Sequence, residues 1–112
     1  MARLAAGLLV NALVRRVNAA GGSAMVLAKG DAEAGAILVL TMERGGGARF
    51  FERGIGPDGE AALVRSGPAE LADDGAVFDY WQRRRSRDSD LWVIELDIAE
   101  AERFAAETLA TG

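Results

Sequence analysis

A chain of 112 residues and 11.8 kDa, half apolar and 27% charged, supplies material for one globular domain and not two. It has no histidine and no cysteine, which closes off histidine and cysteine catalysis, disulfides, the usual zinc sites and ligated haem, and leaves only hard cations held by carboxylates and carbonyls. The formal charge of −4 is uneven: seven basic and four acidic side chains precede position 58, against six and thirteen from it onward, an acidic balance that argues against nucleic acid as a partner.

Residues 3–19 read as an amphipathic helix. Ala5, Leu8, Leu9, Leu13 and Val17 share a broad apolar face at helical spacing, with Arg3, Gly7, Asn11, Arg15 and Asn18 opposite. Arg16 falls within the apolar sector, so its stem is expected along the core edge. The apolar run 4–14 has the size of a secretory leader's, but Asn11 interrupts it and Arg15-Arg16 occupy the place of an uncharged cleavage region. It is also about half the length of a membrane span. The expected location is the cytoplasm, with no membrane contact.

Gly21-Gly22 ends the helix. Two apolar runs follow, 23–29 and 36–42, joined by the polar turn Gly30-Asp31-Ala32-Glu33-Ala34-Gly35. The second is apolar without alternation from Ala36 to Leu40, as in a strand buried on both faces. Gly45-Gly46-Gly47 predicts a turn leading into a third strand at 48–53, and a short strand is expected at 61–65 after the glycines at 54, 56 and 59. A second helix is expected over 74–87, with Asp73 and Asp74 at its start, arginines at its end, and a core stripe of Val77, Phe78, Tyr80 and Trp81. Residues 91–98 alternate, Trp92, Ile94, Leu96 and Ile98 facing one way and Glu95 and Asp97 the other, and a helix over 99–110 closes the chain. The prediction is a single α+β domain over 1–112, of order α-β-β-β-(β)-α-β-α. Its sheet should be mainly antiparallel, of four to five strands, with the helices on one face; the last strand follows a helix and can lie parallel to a neighbour.

Three strings taken together carry a family likeness: Arg15-Arg16 closing the first helix, the loop from Gly30 to Gly35, and Asp88-Ser89-Asp90-Leu91-Trp92-Val93-Ile94-Glu95 leading into the last strand. On these the chain resembles, over nearly its whole length, the uncharacterised small bacterial proteins of domain of unknown function family 1491. The resemblance implies one cytoplasmic domain and carries over no activity, substrate or catalytic residue.

The residues themselves offer weak candidates. Asp31 and Glu33 in the glycine-bounded turn could face Mg²⁺ or Ca²⁺, against the plainer reading of a solvated hairpin turn in which Asp31 bonds its own backbone. Asp90 and Glu95, with Asp88 and Asp97, form a second acidic set whose alternative roles are turn caps and solvated or arginine-paired strand residues. Arg83-Arg84-Arg85-Ser86-Arg87 could meet phosphate, or supply the cations that a helix C-terminus favours. The glycine clusters lack the lysine and hydroxyl of a phosphate cradle, and no serine has a histidine to activate it.

Three functions follow. The leading one is a non-catalytic interaction module with a protein partner or a second copy, and with no cofactor. The second is a divalent-metal phosphodiester hydrolase, which would require Asp31, Glu52 or Glu95 to converge. The third is a domain that binds or senses a small anionic ligand beside the sheet.

Overall fold

The computed structural model describes residues 4–110. Eight elements follow in chain order: α1 (Ala6–Ala19), β1 (Ser23–Ala28), β2 (Ile37–Glu43), β3 (Gly46–Ile55), β4 (Ala61–Ser66), α2 (Asp74–Arg87), β5 (Trp92–Asp97) and α3 (Ala101–Leu109). The class is α+β, as the element order predicts. No helix among the described residues is long and apolar enough to cross a membrane.

β2 is the middle strand of a five-stranded sheet of order β1-β5-β2-β3-β4. Ile37, Leu38, Val39 and Leu40 are all buried, the burial their unbroken apolar run requires. β2, β3 and β4 form an antiparallel meander, β5 lies parallel to β2 on its other side, and β1 pairs antiparallel with β5 at the edge. The sheet is therefore mixed, with a single parallel pair that comes from the crossover through α2.

Two expectations are corrected. β1 and β2 are not a hairpin, because β5 inserts between them and segment 30–35 bridges the gap. The helices do not share one face. α1 and α3 lie on one side with Ile37, Val39, Trp92, Ile94 and Leu96, whereas α2 lies on the other, near Leu38, Leu40, Phe50, Leu91 and Val93. The reason is in the strands: β2 and β5 carry apolar residues at both parities, so each face needs a cover.

The first helix is also turned from its predicted azimuth. Ala6, Val10, Leu13 and Val17 are buried, while Leu8 is exposed. Aliphatic residues surround much of this helix, so periodicity alone leaves its orientation open. α3 lies alongside it. Arg16 reaches across as expected, its guanidinium 5.4 Å from the Phe104 ring centroid and donating to Thr108 Oγ1 (2.6 Å) and Glu107 (2.7 Å). That bond holds the Glu107 carboxyl below its ordinary range.

Candidate functional site

Segment 30–35 is a structural clasp. Asp31 Oδ2 accepts from the amides of Glu33 (3.2 Å) and Ala34 (2.8 Å), the plainer of its two predicted roles. Its amide donates to the Asp90 carbonyl at 3.0 Å, and its carbonyl accepts the Trp92 indole N–H at 2.7 Å. The carbonyls of Ala32 and Glu33 accept the amides of Gly7 (2.8 Å) and Ala6 (3.1 Å) at the start of α1. α1 has no side-chain cap, since Ala5 occupies the N-cap, and these carbonyls serve instead. Gly30 and Gly35 flank the clasp because a Cβ at either position would overlap the Asp90 carbonyl oxygen. The strand start, the loop and the first helix are thereby tied at one point.

Asp97 has a comparable duty at the opposite end of β5. The β2–β3 connection is a two-residue turn, Arg44-Gly45, both at positive φ (53° and 74°), one step ahead of the predicted glycine triplet. Asp97 accepts the Arg44 amide on Oδ1 (2.7 Å) and the Gly45 amide on Oδ2 (2.9 Å), which supports a conformation arginine seldom adopts.

The arginine run at the end of α2 divides. Arg84 donates to Glu52 Oε2 (2.6 Å) and to the hydroxyls of Ser66 and Tyr80 (3.0 Å each), and those hydroxyls lie 2.7 Å apart. Burial works against the Arg84 charge, but its bonds to Glu52 and Tyr80 outweigh that and hold its proton more tightly than usual. Arg85 donates to the carbonyls of Ser89 and Leu91, closing the turn into β5. These two arginines serve the fold, while Arg83 and Arg87 are exposed. Asp90 has its amide on Asp88 Oδ1 at 3.0 Å, the predicted turn geometry.

Glu95 stands apart. It lies on the α2 side of the sheet, opposite Met25 in the antiparallel β1–β5 pair and beside Leu40 in the parallel β5–β2 pair. With Leu27, Met42, Asp74, Phe78 and Trp81 it lines a cleft of about 480 Å³. Partial burial, then the charges of Asp97 and Asp74, raise its carboxyl above the ordinary range. Asp31, Glu52 and Glu95 thus have three different settings, and no group of three or more carboxylates suited to a metal ion occurs among the described residues.

Glu95 and Asp97 share a face of β5, as the alternation predicts, but Phe78 does not join the core stripe expected of α2. Phe78 is 52% exposed, stacked edge-on against Trp81 at 5.2 Å. Met25 is 54% exposed, and the apolar run of β1 carries no sign of which of its residues a helix will leave open. A second cleft, about 500 Å³, opens on the α1–α3 side between Leu9, Ile37, Ile55 and Leu109, with Glu33 and Arg53 also lining it.

No curated protein matches the chain. Among solved structures it is similar to a crystal structure of a DUF1491 family protein from Caulobacter crescentus CB15, at 34% identity and a TM-score of 0.77 over 91% of this chain and 94% of that one. An NMR structure of a DUF1491 family protein from Caulobacter crescentus CB15 is 31% identical, with a TM-score of 0.76 over the full length of both chains. The solution structure of protein Atu0922 from A. tumefaciens is 30% identical, with a TM-score of 0.71 over 99% and 98%. The family model described as a protein of unknown function, DUF1491, matches residues 4–106, and the chain belongs to that family.

Proposed function

We propose that this domain is a non-catalytic protein-interaction module, cytoplasmic, whose contact surface is the part of the sheet that α2 leaves open. The observation that carries this reading is exposed apolar surface on one face: Phe78, 52% exposed, lines one cleft with the half-buried Leu27, Met42 and Trp81, and Met25, 54% exposed, stands on the same face opposite Glu95. Methionine and aromatic residues adapt to and anchor protein partners. The carboxylates a hydrolase would recruit are engaged elsewhere, Asp31 with backbone amides and Glu52 with Arg84.

A photo-reactive amino acid placed at Phe78, and separately at the exposed Glu102 on α3, tests the reading in cells. Discrete protein adducts should form from position 78 and not from 102. Equal patterns, or none from 78, would refute it.

A further inference from the structure

Resting on the interaction reading, we infer that the open sector takes a basic amphipathic helix of a partner protein, laid beside α2 as the second helix of that layer. Five strands spaced about 4.8 Å apart set their outer members roughly 19 Å from one another. Helices pack about 8–10 Å apart, so a face of this width accommodates two. The opposite face has two, α1 and α3. This face has α2 alone, drawn toward β3 and β4 by Arg84 on Glu52 and Ser66 and by Tyr80 on Phe50.

The β1–β5 side of the same face is left open, and its residues specify the occupant's chemistry. Leu27, Met42, Phe78 and Trp81 supply an apolar floor and wall, and the exposed Met25 extends the same face opposite Glu95 in the β1–β5 pair. Glu95 and Asp74 line the same cleft, and Asp97 follows Glu95 by two residues on the same face of β5. Both charges that act on Glu95 are themselves carboxylates. A helix carrying Lys or Arg along one flank would neutralise these groups and lay its aliphatic stems over the methionines. An acidic helix would set like charges together in a desolvated cleft. Pairing two copies of this chain through the sector would do the same, because a two-fold contact opposes identical patches. A strand added at the β1 edge would use backbone groups and leave the carboxylates unmatched.

The probe is a labelled synthetic helical peptide with leucines on one face and lysines on the other, compared with its glutamate counterpart by fluorescence anisotropy on the full chain. The lysine peptide should bind, more weakly as salt rises, and the glutamate peptide should not. Phe78→Ala should weaken binding about tenfold, as should Glu95→Gln combined with Asp74→Asn, which should also flatten the salt dependence. Leu8→Ala, on the exposed side of α1, should leave it unchanged. Phe78 is half exposed and the carboxylate changes are isosteric, so circular dichroism should report folded variants. Equal binding of both peptides, or indifference to the Phe78 and carboxylate variants, would overturn the inference. Self-association in sedimentation that Phe78→Ala abolishes would overturn it in favour of a second copy. Cross-linking from position 78 that survives Glu95→Gln with Asp74→Asn would keep the interaction reading and remove the basic helix; no cross-linking from 78 would remove both.

Discussion

Four residues of α1 and three of α3 are buried against their side of the sheet, whereas α2, as long as α1, buries none completely. The first layer is held by non-directional apolar contact, in which each side chain adds to a continuous core. The second has a smaller apolar contact, Val77, Tyr80 and Trp81 over Leu38, Leu40, Phe50, Leu91 and Val93. It adds directional bonds at its C-terminal end, Arg84 on Glu52, Tyr80 and Ser66 and Arg85 on two carbonyls, while Asp73 Oδ1 caps the helix's own start at the Ala76 amide (2.8 Å). An apolar layer is strong and indifferent to salt and pH. A helix tethered by polar bonds is placed accurately, yet leaves apolar sheet uncovered beside it and can loosen without unfolding the rest.

The largest expected effect lies on the first face. Leu13→Ala removes a side chain with no exposed surface and should cost about 2–5 kcal/mol, lowering Tm by ten degrees or more on a scale of about 4–8 °C per kcal/mol. Val77→Ala, the analogous truncation in α2, should cost about 1 kcal/mol or less, since Val77 is only partly buried. If the two cost the same, the contrast between the layers is wrong. Arg84→Ala comes next: it leaves the partly buried Glu52 without its partner and should cost about 1–3 kcal/mol. Native-state hydrogen exchange should then accelerate across α2 and hardly change in α1.

Asp97→Ala should cost about 1 kcal/mol by removing two amide caps from the Arg44-Gly45 turn, and Arg44→Gly in the same background should recover part of it. A second substitution that deepens the loss would show that the arginine's conformation is not under strain. The smallest effect has the opposite sign. Because folding raises the Glu95 carboxyl above its unfolded value, its contribution to stability is complete below the unfolded value and lost as pH rises through the folded one. Glu95→Gln should therefore raise Tm slightly at pH 7, and the gain should vanish in acid below the ordinary carboxylate range. Melts of both proteins across pH check this, and a gain that persists in acid would mean the charge is not its source.

Much of the fold was legible in local pattern. The unbroken apolar run at 36–40 announced a strand covered on both sides, and the alternation from Trp92 to Ile98 announced a strand and the face that Trp92, Ile94 and Leu96 share, although Val93 on the other face is buried as well. Asp73 announced the start of α2, where it caps Ala76. The open cleft was not legible. Phe78 and Trp81 are neighbours at helical spacing, so periodicity assigns both to one stripe, yet Tyr80 and Arg84 turn the helix so that Trp81 is half covered and Phe78 is not. Likewise Asp31 and Asp97 looked like similar turn or surface carboxylates. One bonds its own loop, and the other a hairpin more than fifty residues away in sequence.

Residue order and residue type alone determined the helices and strands, the lack of histidine and thiol chemistry, and the expectation that a strand following a helix could run parallel to an earlier one. These properties are set by backbone geometry over a few residues and by side-chain chemistry, both of which are local. Only the tertiary structure decided that β5 enters between β1 and β2, that the helices divide between two faces, and that the loop at 30–35 caps α1 rather than closing a hairpin. Each of these depends on which distant surfaces meet. A sheet apolar at both parities does not say which helix will cover which side; that choice falls to a few long-range bonds, Arg84 to Glu52 and Asp31 to Asp90 among them.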